Sequence, residues 1–346
     1  MSTRLKFAIV GAGAIAQAYE AAFRDLPDIA VTAVCDVRKD AAAAMAQRAQ
    51  CTSYNTVESL LKRADFDAAV VCTPPSTHEA IAVRLLEAGK HVLCEKPLST
   101  TVQAAWRMLD AASRGKALLT MASKFRYVED VRKARALVEA GTVGELVCVE
   151  TAFTARVDMR QRWNSNPAVS GGGVLIDNGT HAVDILRYFM GNLRDVQIIE
   201  GRRPQGLSVE DTVRLFVHND DGVMGSSDLS WSIDKELGTY LRVYGADGTI
   251  LVGWKESKYR LRGESEWHVF GNGYNKVQAF RDQIDNFTGA ILGTQELIIT
   301  QRDALASVEV IRAAYAALKR TQWERVGAPI EELEAAPTAI RAVEAR

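Results

Sequence analysis

Asp177 and His181 stand four residues apart, so a single helical face can carry both. An imidazole is the side chain best suited to exchanging a proton near neutral pH, and a carboxylate beside it raises its basicity. Gly171, Gly172 and Gly173 precede the pair and allow a close backbone approach, a substrate being one candidate. Two plainer readings stay open: an N-capping Asp followed by a hydrogen-bonded core His, or a metal site, for which only two plausible ligands are present. Lys96, within Glu95-Lys96-Pro97, is the third candidate. Its ammonium could bond a hydroxyl and favour alkoxide character there. Equally, it is a surface lysine beside a turn that Pro97 fixes, a cis bond being one way to do so.

A second set of residues suits a dinucleotide. Gly11-Ala12-Gly13-Ala14-Ile15-Ala16 follows an apolar run and opens a helical one. Gly11 permits the tight turn, Gly13 lets a pyrophosphate approach the backbone, and Ala16 is small enough for helix-to-strand packing. The free N–H groups and positive dipole end of the helix attract the phosphates. Asp36 ends the next apolar run, 20 residues after Ala16. A carboxylate there accepts from ribose hydroxyls and repels a 2′-phosphate, which favours NAD over NADP. Arg38 and Lys39 would serve a phosphate only if Asp36 turned away. Thr73-Pro74-Pro75 and Glu95-Lys96-Pro97 end two further strands, where open α/β sheets bind ligands. Cofactor contact is expected from both, and Lys96 could reach the nicotinamide ribose. His78 reads either as a cofactor contact or as a polar residue of a helix's first turn.

Such residues need a sheet edge to gather them. Apolar runs at Lys6 to Val10, Ile29 to Cys35, Asp67 to Cys72, His91 to Cys94 and Ala117 to Met121 alternate with helical stretches at Ala14 to Arg24, Asp40 to Gln50, Thr77 to Ala88 and Thr101 to Arg114. Continuous apolar strands between helices imply a doubly wound parallel sheet covered on both faces. Beyond about residue 145 the pattern changes. Strands are expected at Leu146 to Val157, Thr212 to His218, Val223 to Trp231, Tyr240 to Val252 and Tyr259 to Arg262, with Asp-Gly turns at Asp221-Gly222 and Asp247-Gly248. Their short connections predict antiparallel pairing. Helices are expected at Val277 to Ala290 and Thr300 to Lys319, the latter returning to the first domain. The expected division is a Rossmann domain over 1–122, an α+β domain with a large, mostly antiparallel, open-faced sheet over 123–326, and a surface tail over 327–346.

Composition narrows the class. A net charge of -1 gives no footprint for nucleic acid or an anionic membrane. There is no secretory leader pattern and no apolar run long enough to span a bilayer. The five cysteines, an odd number without a CxxC pair, read as free thiols in a cytoplasmic protein.

Together these motifs resemble the GFO/IDH/MocA family of oxidoreductases, named for glucose-fructose oxidoreductase and inositol dehydrogenase. The resemblance rests on the GxGxxA turn, the TPPxxH loop, the segment Gly89 to Pro97 (GKHVLCEKP) and the GGGxLxDxGxHxxD segment from Gly171 to Asp184. It implies hydride transfer between NAD(P) and a sugar, cyclitol or nucleotide sugar, with Lys96, Asp177 and His181 as the catalytic set. It also implies a homodimer or homotetramer formed through the second sheet. His181 would take the hydroxyl proton, Asp177 would orient His181 or bind a neighbouring hydroxyl, and Lys96 would bond the reacting oxygen, though His181 and Lys96 could exchange roles. Arg126 matches an arginine of the family pattern, whereas Lys124 replaces the usual asparagine. Lys124, Arg126, Arg160 and Trp163 are the expected substrate contacts, and their charge hints at an anionic substrate. Two other uses of bound NAD fit the resemblance: glycoside hydrolysis through transient redox chemistry, for which no extra motif is present, and non-catalytic regulation, which relatives reach by losing the lysine or histidine retained here.

Overall fold

The computed structural model describes residues 4–327. The first sheet is formed by β1 (Leu5–Val10), β2 (Ile29–Cys35), β3 (Thr52–Tyr54), β4 (Ala68–Val71), β5 (His91–Glu95) and β6 (Leu119–Ala122), and all its pairings are parallel. Between them run α1 (Ala14–Phe23), α2 (Lys39–Ala49), α3 (Val57–Arg63), α4 (His78–Glu87) and α5 (Val102–Gly115). β1 shows why the strands are apolar throughout. Phe7 and Ile9 point into one cluster with α1, while Ala8 and Val10 point into another with α4 and α5. Successive side chains face opposite ways, and helices cover both faces. The order β3-β2-β1-β4-β5-β6 reverses direction between β1 and β4. That switch point opens a crevice at the strands' C-terminal ends, beside Gly11 and Thr73.

The second sheet has nine strands: β7 (Leu146–Thr154), β8 (Leu193–Glu200), β9 (Thr212–Asn219), β10 (Met224–Ser230), β11 (Thr239–Gly245), β12 (Gly248–Gly253), β13 (Ser257–Leu261), β14 (His268–Gly271) and β15 (Glu324–Arg325). Five α-helices accompany it among the described residues: α6 (Glu129–Glu139), α7 (Pro167–Ser170), α8 (Val174–Met190), α9 (Lys276–Ile291) and α10 (Gln301–Arg320). α8 is buried along most of its length and lies against β7 and β10. The opposite face carries half-buried and exposed residues such as Phe216, Met224 and Ile199.

The antiparallel expectation fails at one place. β7 and β10 pair in parallel, from Met224 opposite Cys148 to Ser230 opposite Thr154. The strands adjacent in space are not adjacent in sequence, and α8, β8 and β9 supply the length a crossover needs. The stretch expected over Tyr240 to Val252 is two antiparallel strands, β11 and β12, folded back at the expected Asp247-Gly248 turn. β3, α3, α6, β8 and β14 had no predicted counterpart.

Both late helices return to the first sheet. α9 inserts Phe280, Ile284 and Phe287 beside Phe7 and Tyr19, and α10 places Ala304, Leu305 and Val308 against the other face. Only the second of these returns was expected. The predicted tail at 327–346 lies, apart from Gly327, outside the described residues. All five cysteines are free. Among the described residues no helix is long and apolar enough to cross a membrane.

Candidate active site

Gly11 adopts φ +95°, and a Cβ there would lie 2.8 Å from the Cys72 backbone, so only glycine lets β1 turn this close to β4. Gly13 caps α1 without a side-chain bond, and a Cβ built on it would meet nothing within 4 Å. The open space and the free N–H groups of Ala14 and Ile15 form the cradle a pyrophosphate requires. Ala16 is fully buried under the sheet. Asp36 receives the Ala12 N–H at 2.7 Å and the Arg38 N–H at 2.8 Å. Burial alone would push its pKa up, but those two N–H groups and the Arg38 guanidinium hold it below the usual carboxylate value. Asp36 therefore stays ionised at the edge of the crevice, and Arg38 turns toward it at 3.4 Å. These residues fit NAD.

The chemistry lies where β5 ends. Lys96 donates to the Asp177 carboxylate and, at 3.1 Å, to the Asp177 carbonyl. Ile15, Thr73, Pro75, Glu95, Trp163 and Asn164 join this pair around a cavity of about 190 Å³. A larger cavity of about 1050 Å³ lies between α5 and α10, around Trp106 and Arg302. It contains none of the three candidate catalytic residues, so the smaller one is assigned the chemistry. The Lys96–Pro97 bond is cis.

His181 sits one turn beyond Asp177, with its ring edge-on to Phe125 at 5.0 Å. The expected Asp177–His181 contact is absent, because Asp177 is taken by Lys96 and, at 3.4 Å, by the Asn164 amide. The His181 Nδ1 is sealed without a partner, whereas Nε2 is not among the sealed atoms. Burial, then the positive charges of Lys96 and Lys124, push its pKa well below the ordinary value. The imidazole is neutral near pH 7 and able to accept a proton.

Other expected contacts prove structural. His78 is fully buried, its Nε2 2.8 Å from the Thr73 carbonyl and its Nδ1 2.9 Å from the Pro97 carbonyl. It ties the Thr73-Pro74-Pro75 loop to the Glu95-Lys96-Pro97 turn through both ring nitrogens. Arg126 is buried and ion-paired with Asp184 at 2.8 Å and Asp303 at 3.4 Å, so its guanidinium is engaged inside the protein. Arg160 lies on the surface, bonded to Asp158. Trp163 does reach the cavity wall, half-exposed. Lys124 lies within electrostatic range of Glu95, Lys96 and Asp177. Two of the three glycines are required by packing: a Cβ on Gly172 would fall 1.8 Å from the Tyr315 hydroxyl, and one on Gly173 2.0 Å from the Glu210 carbonyl.

Several contributors had no usable sequence signal. Glu210 accepts the N–H groups of Gly173 and Leu175 at 2.9 and 3.1 Å and the Tyr315 hydroxyl at 2.7 Å, and so anchors the start of α8. Tyr19 donates to Glu95 at 3.0 Å. Burial pushes the Glu95 carboxyl up, against Lys96, Lys124 and Tyr19, which pull it down. Trp254 and Tyr274 pack near Phe125. Each comes from an element remote in sequence.

Comparison with known proteins agrees with this layout. Residues 5–123 match the model of the GFO/IDH/MocA oxidoreductase family, NAD-binding Rossmann fold, and residues 131–251 match that of the GFO/IDH/MocA C-terminal domain. D-glucoside 3-dehydrogenase of Escherichia coli (strain K12) is 33% identical over 194 residues, or 55% of each chain. That match spans about half the length of the relative. Inositol 2-dehydrogenase of Rhizobium meliloti (strain 1021) is 26% identical over 90% of this chain and 96% of its own. A solved levoglucosan dehydrogenase, in complex with NADH and levoglucosan, shares the fold with TM-score 0.87 and 19% identity, over 93% of this chain and 99% of that one.

Proposed function

The chain belongs to the GFO/IDH/MocA family of NAD-binding oxidoreductases, and from that premise we propose that it oxidises a secondary alcohol of a sugar, cyclitol or nucleotide sugar. The observation that carries this reading is the Lys96–Asp177 pair on a cavity that Ile15 after the glycine turn also lines, with a neutral His181 one turn further along α8 in electrostatic range of Lys96. NAD, when bound, supplies the hydride acceptor. Gly11, Gly13 and the first turn of α1 hold its phosphates, Asp36 accepts from the adenosine ribose, and Thr73 to Pro75 with Glu95 line the rest.

His181 takes the hydroxyl proton on Nε2. Lys96, aligned by Asp177, bonds the reacting oxygen and offsets its developing negative charge. Asp177 thus acts through the lysine rather than through the histidine. Trp163 and Asn164 close one wall against water.

In the same reading the Rossmann domain covers 1–122 and the substrate domain 123–326. The protein works as a cytoplasmic homodimer or homotetramer, joined through the face of the second sheet that exposes Met224 and Ile199. The test is an assay for NADH formation with inositols, free sugars, sugar phosphates and UDP-sugars, repeated with NADP. Steady NADH production from one class supports the reading. Tight NADH binding with no turnover on any class would overturn it.

A further inference from the structure

Lys124 follows the C-terminal end of β6 as Lys96 follows that of the neighbouring β5, and it lies in electrostatic range of Glu95, Lys96 and Asp177. Its ammonium lies over the rings of Phe125, Phe280 and Tyr274 at 5.5, 5.6 and 5.9 Å. Among the described residues it has no carboxylate within 4 Å and no hydrogen bond. The nearby acids are engaged elsewhere: Asp177 with Lys96, and Glu95 with Tyr19 and the Lys96 N–H. The Nζ keeps some accessible surface rather than being sealed off. Its pKa is pushed down to about 8, first by burial, while Glu95 pulls it up and Lys96 and Lys276 push it further down. A largely buried ammonium without a counter-ion is costly unless a ligand supplies one.

We propose that the substrate is an acidic sugar whose carboxylate is received by Lys124, an inference that rests on the sugar oxidoreductase reading above. Trp254 and Tyr274, 5.7 Å apart and perpendicular, offer apolar faces to the sugar ring beside it. A carboxylate suits the site better than a phosphate. A doubly charged phosphate would call for a second free cation beside Lys124, and of its neighbours Arg126 is spent on Asp184 and Asp303 and Lys96 on Asp177. A single ammonium matches a single negative charge.

The experiment measures calorimetric binding to the protein–NADH complex of three methyl glycosides, in the gluco, galacto and manno series, each paired with its uronate. Glucose 6-phosphate is a further arm. At least one uronate should bind about tenfold or more tightly than its neutral twin. That preference should collapse in Lys124→Asn and survive in Lys124→Arg, with NADH binding as the check on folding. If Lys124→Asn does not fold, Lys124→Gln takes its place. Equal or weaker binding of every uronate overturns the inference on wild-type protein alone, as does a preference that persists without the lysine, or tighter binding of the phosphate. A neutral glycoside oxidised without any uronate preference defeats this inference and leaves the oxidoreductase reading intact. A uronate bound through Lys124 while no sugar of any class is oxidised defeats the oxidoreductase reading and leaves only the carboxylate site standing.

Discussion

Lys124 and Arg126 are two residues apart on one turn, and the protein uses them in opposite ways. Arg126 points into the core, where Asp184 of α8 and Asp303 of α10 neutralise it. Arg187 joins the same cluster through Asp303 at 3.4 Å. Lys124 lies among aromatic rings, in electrostatic range of Lys96 and Asp177, with no carboxylate within ion-pair distance. Both charges are largely withdrawn from water, so both must be compensated. In the core the compensation is built in and serves to join a turn and two helices. At Lys124 it is left for a ligand. A buried charge with internal partners therefore marks structure, and one without them marks a binding function.

The comparison breaks most easily at Arg126. Arg126→Met should cost roughly 3–5 kcal/mol by leaving Asp184 buried and unpaired. Urea unfolding measures this, and an unchanged midpoint would show that the cluster is not needed. Next comes Lys96, which has a partner yet faces the cavity. Lys96→Ala should lower turnover on the order of 10²-fold or more, with an unfolding midpoint close to wild type. Near-normal turnover would remove it from the chemistry.

Asp36 is the mixed case, held by two backbone N–H groups and still at the crevice edge. Asp36→Ala should weaken NAD by about 1.5–3 kcal/mol, the range for hydrogen bonds to charged groups, and narrow the gap to NADP. Equal loss for both dinucleotides would contradict the ribose assignment. The smallest effect concerns pH. His181 has a folded pKa below its unfolded one, so acidification below about 6.5 charges the unfolded chain first and stability falls with pH there. Lys124→Asn removes one of the charges that depress His181, so the acid limb of kcat/KM should move to higher pH. A limb that stays in place would mean Lys124 and His181 do not interact.

Much of the site was legible before any coordinates. The glycine turn, Asp36, Lys96, Asp177 and His181 lie at strand ends or along one helix, where local spacing and position relative to an apolar run suffice. Arg126 and Lys124 were not separable that way. Their fates depend on Asp184, Asp303, Glu95 and Tyr274, which sequence distance hides. The same holds for His78, whose ring nitrogens are claimed by carbonyls of two different loops. The parallel pairing of β7 with β10 escaped prediction because spatial neighbours in that sheet are separated by a helix and two strands.

By itself, then, the sequence determined that a dinucleotide is bound, that two differently built sheets follow one another, and which lysine, acid and histidine could act. Those properties are set by short-range chemistry: turn conformation, helical periodicity and apolar runs. Only the tertiary structure decided which acid each cation meets. It gave Asp177 to Lys96 rather than to His181, sealed Nδ1 of His181 without a partner, and spent two of the glycines on Tyr315 and Glu210. Such pairings depend on a few ångströms between elements far apart in the chain, and electrostatic and packing energies change steeply over that distance.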